Sequence, residues 1–374
     1  MDIRTEQLHI PEEVLAELRG RLEATRWPSR PTRPAWADGV DPDLVRDLVA
    51  YWLAGFDWRA RERALNRHRH VRADVDGLAL HAMIAEPDSP TATPPVLALH
   101  GWPATFEQMT RLADRLVAPP HAMTVVAPSL PGFGFSQAPT EPGWNPARIA
   151  RTVHTLMTER LGHSRYLVRG TDYGLNVALH LGAMYPGHVT GVHIGGTHLA
   201  VPGDEDLPAD LNAEERAFVE AGRRWYADEG GYVDIQATKP ETLAFALSDS
   251  PAGLLAWIVE KYRTWCATPH DLHARFTPDD LLSTVTIYWA TNTLASSVRL
   301  YREDRLGPAP APARVPVAVN QPQAEEYHTP RSWWQRLQPR LTRYTLLPGA
   351  GHFPEWEAPD ALAADIAEFA RTLG

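Results

Sequence analysis

The pentapeptide Gly170-Thr171-Asp172-Tyr173-Gly174 stands between the apolar run Tyr166–Arg169 and a helix-patterned stretch that begins at Leu175. Small residues on both sides of a central side chain permit the strained strand-to-helix turn known as a nucleophile elbow. That turn lifts the central side chain above the carboxyl edge of a sheet. Esterases and lipases carry serine there; this chain carries Asp172. The difference decides the chemistry. A carboxylate is a poor nucleophile toward acyl carbon, because the product is an unstable anhydride. It can displace at a saturated carbon with a strained or good leaving group, which leaves an alkyl ester. The implied sequence is alkyl transfer to Asp172, then ester hydrolysis. The competing reading is plain helix capping, a common task for aspartate.

Other residues supply what such chemistry needs. His100-Gly101-Trp102-Pro103 follows the strand-like run Pro95–Leu99. In an elbow fold the oxyanion donors are the N–H after the nucleophile and one from this loop, here Tyr173 and Trp102. His352 lies in the Gly-rich segment Pro348–His352, after the last expected strand and before the terminal helix. The order nucleophile, acid, histidine suits the fold and makes His352 the general base on water, with an ordinary pKa of about 6.5. The orienting acid should follow the strand at 315–321. Glu325 and Glu326 both qualify, and the residues alone do not separate them. A leaving oxygen needs a proton donor opposite the nucleophile. Tyrosine suits that role because it stays protonated at neutral pH, and the segment 200–310 offers Tyr226, Tyr232, Tyr262, Tyr288 and Tyr301.

Positioning these groups requires a particular scaffold. Short apolar runs alternate with helical patterns from residue 94 to 199 and again from 311 to 374. That alternation predicts an α/β fold with a mostly parallel, doubly wound sheet. Residues 200–310 break it with tryptophans, tyrosines and helical spacing, and read as an inserted helical cap. The Pro-rich stretch 307–316 reads as the way out of the cap. Residues 1–93 are expected to form a meander and hairpin packed on the core. The expected helices there lie within residues 10–28 and at 43–54, with a turn at Asp76-Gly77.

Composition limits the alternatives. The chain has 374 residues, 44% hydrophobic and 22% charged, with a net charge of −10. That balance argues against nucleic acid or an anionic membrane surface as partner. No run reaches the length of a membrane span, and the N-terminal stretch lacks an apolar core of signal type. The single cysteine, Cys266, fits a reducing compartment, so the cytoplasm is expected. It sits between Trp265 and Ala267 and reads as a buried, inert thiol. No metal or organic cofactor is called for.

Taken together, the stretches RLEATRWP, HGWP, GTDYG, GGYVDIQATKP, SSVRLYRED, AEEYHTP and GAGHF resemble the microsomal-type epoxide hydrolases. These are α/β-hydrolase-fold enzymes with an N-terminal meander. The resemblance covers nearly the whole chain. It implies that Asp172 is the nucleophile, His352 the base, and Tyr232 and Tyr301 the epoxide-activating acids. It selects Glu325, three residues before His328-Thr329-Pro330, over Glu326. It also implies a small-molecule epoxide as partner, apolar and aromatic or polycyclic given the cap's ring content, and it is compatible with a homodimer. Trp102, Tyr173 and Trp289 are expected to contact that substrate. The chain departs from the family in carrying Tyr173 where tryptophan usually follows the nucleophile. Haloalkane dehalogenation, epoxide-opening cyclisation and a silent ligand-binding protein are the remaining alternatives.

Overall fold

A computed structural model describes residues 3–89, 93–196, 207–325 and 327–373. Nine strands form one sheet: β1 (Ile3–Glu6), β2 (Arg69–Val75), β3 (Leu78–Ala85), β4 (Val96–Leu99), β5 (Val125–Pro128), β6 (Tyr166–Thr171), β7 (Val189–Gly195), β8 (Val317–Pro322) and β9 (Leu341–Leu347). Their order is β1-β2-β3-β5-β4-β6-β7-β8-β9. From β5 to β9 neighbouring strands are parallel, while β1, β2 and β3 join antiparallel. Every residue of β4, β5 and β6 is buried. Helices cover both faces of a parallel sheet, so its strands are continuous apolar runs instead of alternating ones.

The N-terminal hairpin joins the central sheet. The Asp76-Gly77 turn has φ of 51° and 76° and closes β2 onto β3, as a two-residue hairpin requires. β3 then pairs with β5, Ala82 opposite Pro128. The hairpin is therefore part of the central sheet and not a layer laid over it. Open edges of β-strands are completed by pairing, and β3 has its partner in β5.

The cap runs through the helices Ala213–Glu229, Gly231–Thr238, Pro240–Asp249, Pro251–Trp265, Pro278–Ala290 and Leu294–Leu306. Their starts are written in local chemistry. Asn212 with Glu215 and Thr277 with Asp280 form reciprocal capping boxes, and Ser250 caps the helix at Pro251. The N-terminal helix Glu12–Glu23 buries Leu18 and Leu22 and packs against the helices Pro251–Trp265 and Pro278–Ala290. The segment before the core thus reaches the cap directly. Among the described residues no single helix is long and apolar enough to cross a membrane.

Candidate active site

Asp172 ends β6 with φ 51° and ψ −129°, a left-handed conformation costly for a residue with a Cβ. The elbow allows it through close backbone approach. A Cβ on Gly170 would lie 2.2 Å from the Gly174 carbonyl oxygen, and one on Gly101 would lie 2.1 Å from Asp172 Oδ1. β4 lies beside β6 with Leu99 opposite Gly170, so the loop after β4 arrives at the elbow. The Trp102 N–H donates to Asp172 Oδ1 at 2.9 Å and the Tyr173 N–H at 2.7 Å. The capping reading and the nucleophile reading thus coincide: Oδ1 caps the helix and sits in the pair of donors, which leaves Oδ2 for other work.

Oδ2 lies 3.3 Å from His352 Nε2, and His352 Nδ1 lies 3.2 Å from Glu325 Oε1. Glu325 Oε2 accepts from the Gln321 side-chain amide at 2.8 Å, which anchors the acid to the end of β8. Glu326 lies outside the described residues. His352 is held from its backbone as well: its N–H donates to the Trp265 carbonyl at 2.8 Å. Neither the acid nor the base belongs to the sheet itself. Both sit on loops at the carboxyl ends of β8 and β9, the edge where α/β folds place ligands.

Burial alone would lower the His352 imidazole, but hydrogen bonds and charge from Asp172 and Glu325 outweigh it and push it up to about 10. The expectation of an ordinary value near 6.5 is thereby corrected. In the resting site His352 is a cation between two carboxylates. His100, in the loop after β4, is the opposite case. Burial brings it down to about 4, its Nδ1 pairs with the Gly101 carbonyl, and its Nε2 accepts from the Leu130 N–H. It is a neutral strut beneath the loop that carries Trp102.

Tyr232 and Tyr301 line the same cavity as Asp172. Burial, then the nearby negative charge of Asp172, raises the Tyr232 phenol well above 10; burial and the neighbouring groups Tyr232, Tyr173 and Asp172 do the same for Tyr301. Both are protonated donors at any working pH. Their rings meet edge to face at 5.9 Å, and the Tyr301 hydroxyl makes no aligned hydrogen bond among the described residues. The remaining cap tyrosines are otherwise engaged. Tyr262 stacks on Phe353 at 4.4 Å, Tyr288 donates to the Ala104 carbonyl at 2.7 Å, and the half-exposed Tyr226 donates to Asp234 at 2.7 Å.

The aromatic contacts divide differently from expectation. Tyr173 lines the cavity. Trp102 is buried behind it: its indole stacks on Tyr232 at 5.6 Å and meets Tyr301 edge-on at 5.8 Å. It backs the two phenols and does not line the space. Trp289, on the helix Pro278–Ala290, packs partly buried against the main core and is not a lining residue. That helix is buried on nearly all sides, so an aromatic on it has core to meet before it meets the cavity. Trp265 was not singled out in the sequence, yet its ring lies 5.1 Å from His352 and 5.3 Å from Tyr232. Its signal was hidden in the helical apolar spacing of the cap. Cys266 is buried, and burial pushes its thiol up. No group of His, Cys, Asp and Glu among the described residues could hold a metal.

The cavity encloses about 1470 Å³ between cap and sheet. Tyr173, Tyr232, Trp265 and Tyr301 give it an aromatic lining, and charged side chains such as Arg263 and Arg305 line it as well.

Comparison with known proteins follows this geometry. Residues 3–109 match the family model described as the epoxide hydrolase N terminus, and residues 94–236 match the alpha/beta hydrolase fold. A candidate epoxide hydrolase of Stigmatella aurantiaca is 35% identical over 98% of this chain and 84% of its own length. The chain belongs to the epoxide hydrolase family. Epoxide hydrolase 1 of Oryctolagus cuniculus is 31% identical over 98% of this chain and 88% of its own. Among solved structures, the juvenile hormone epoxide hydrolase of the silkworm Bombyx mori superposes with a TM-score of 0.89 at 28% identity, covering 100% of this chain and 95% of that one. The epoxide hydrolase of Aspergillus niger gives 0.87 at 25% identity, covering 100% of this chain and 97% of that one. The family assignment and the mostly parallel α/β-hydrolase sheet agree with each other. Glu325, His352 and Tyr301 lie beyond the two matched segments, so their roles rest on geometry.

Proposed function

We propose that this family member hydrolyses an apolar epoxide to a vicinal diol through a covalent ester on Asp172. The observation that carries the proposal is the asymmetry of the Asp172 carboxylate. Oδ1 is occupied by two backbone donors, while Oδ2 faces the imidazole in a cavity that two phenols also line.

In the first step Oδ2 bonds to an epoxide carbon and the carbon–oxygen bond opposite breaks. The electron pair stays on the epoxide oxygen, which takes a proton from Tyr232 or Tyr301. Alkylation removes the Asp172 charge, one of the two that hold His352 high. The imidazole then gives its proton back to the tyrosine and becomes a base. In the second step His352 takes a proton from water, and the hydroxide adds to the ester carbon. The negative charge collects on Oδ1, already within reach of the Trp102 and Tyr173 N–H groups. Collapse expels the diol oxygen from Cγ, and His352 protonates it. The Asp172 carboxylic acid returns its proton to His352. Glu325 holds the imidazole and balances its charge throughout.

The test is single-turnover hydrolysis of styrene oxide in ¹⁸O-water. The first diol should carry no label, and label should accumulate in Asp172. Label appearing in the first diol would rule out the covalent route.

A further inference from the structure

We infer that Lys261 is a positioning residue for the first step: its ammonium lies against the ring of Tyr232 and favours proton donation from that phenol as the epoxide opens. The inference rests on the reading of Tyr232 as an epoxide acid.

Lys261 lies in the cap helix Pro251–Trp265 and is buried, unlike almost all lysines in folded proteins. Its Nζ lies 4.6 Å from the centre of the Tyr232 ring and 5.7 Å from that of Trp265. Trp265 is four residues further along the same helix, so the two side chains share a face and the ammonium borders both rings. Glu260 Oε2 holds Nζ at 2.5 Å. All but two of the 36 basic residues in this chain are arginine. A lysine here is therefore a departure from the habit of the whole sequence. A point charge on a slender stem fits beside these two tilted rings where a broad planar guanidinium needs more room.

The placement has a chemical consequence. Tyr232 must donate while the epoxide oxygen becomes anionic, next to the Asp172 carboxylate and away from water, and both conditions work against any negative charge on the phenol. A cation on the ring face opposes them. Its attraction is stronger for a phenol that carries developing negative charge than for a neutral one, so it acts on the transition state of ring opening. Ester hydrolysis runs at His352 and the backbone donors, which Lys261 does not touch. One cap helix thus serves both steps, Lys261 at the acid and the Trp265 carbonyl at the base.

The experiment is acid-quenched single turnover of styrene oxide, with the Asp172 ester followed by mass spectrometry. K261M should slow formation of the ester by about 3- to 30-fold, the range of a partly desolvated cation–π contact, and leave its hydrolysis rate constant unchanged. K261R should recover part of the loss. Rate constants are read only from molecules that form the ester, so loss of folded protein does not imitate the effect; K261Q is read in the same way if K261M does not fold. Ester formation as fast in K261M and K261Q as in the wild type, or a fall in both rate constants together, overturns the role of Lys261. Absence of any ester in the wild type would instead overturn the covalent mechanism beneath it.

Discussion

The two oxygens of a free aspartate are equivalent, and the elbow makes those of Asp172 different. Oδ1 accepts two backbone N–H bonds, and Oδ2 shares the His352 imidazole with Glu325. That sharing predicts a measurable change. In Asp172→Asn the amide oxygen can still accept both N–H groups, so the fold should persist, but one of the charges that raise His352 is gone. The His352 resonance, followed by NMR, should titrate well below the wild-type value of about 10, and turnover should vanish. A titration unmoved by the substitution would mean that Asp172 does not set the imidazole's charge. The same coupling gives stability a sign. A folded-state pKa raised above the unfolded value stabilises fully below about 6.5 and loses that contribution as pH rises toward the folded value. The wild type should therefore lose more stability between pH 7 and 10 than Asp172→Asn does, as read from urea midpoints across that range.

At the scale of elements, the site depends on how closely the loop after β4 approaches the end of β6. Gly101 is where they meet, and a methyl group there would fall 2.1 Å from Oδ1 and 2.4 Å from the Asp172 Cβ. Neither neighbour is a flexible side-chain end that could swing aside, since both belong to the elbow. Gly101→Ala should cost about 1–3 kcal/mol of stability, as overpacking does. It should also lower kcat by 100-fold or more by displacing the carboxylate, because a 1 Å misplacement carries that order of loss. A variant that melts normally and turns over normally would show that the loop has slack. The legibility of the sequence follows the same division. Gly170 to Gly174, His100 to Pro103 and the Gly-rich segment ending at His352 could be read directly, because each is a short stretch whose backbone demands are local. The edge strand β1 could not, because Ile3-Arg4-Thr5-Glu6 is short and its pairing with Ala73 to His70 is non-local. The hairpin's entry into the sheet through β5 was hidden for the same reason. Trp265 and Lys261 lie in a helix whose spacing reveals its apolar face but not which cap residues reach the site. Trp289 misled because aromatic content in a cap marks core as readily as cavity.

At the scale of the molecule, ion pairs tie three regions of chain together. Arg61, from the segment before the core, pairs with the buried Glu107 at 2.8 Å and with Asp280 of the cap at 3.1 Å. Burial raises Glu107, and the Arg61 charge is the largest opposing influence. Arg61→Met should leave Glu107 without that partner and cost about 3 kcal/mol or more, the scale of a broken buried pair. It should appear as a lower urea midpoint with the rate constants of the surviving folded enzyme unchanged; an unaltered midpoint would mean the three regions hold together without it. The cavity, about 1470 Å³, exceeds the 300–1,000 Å³ or so of ordinary ligand pockets. A small epoxide would leave most of it to water. A ring would cover Tyr173, Trp265 and the Tyr232 and Tyr301 phenols, and its five extra carbons contribute about 4 kcal/mol at about 0.8 each. Because that contact persists in the transition state, it should raise kcat/KM, of order 1000-fold for styrene oxide over propylene oxide. Equal kcat/KM for the two would mean that the aromatic lining serves only to hold the acids, and that the bulk of the cavity does not select the substrate.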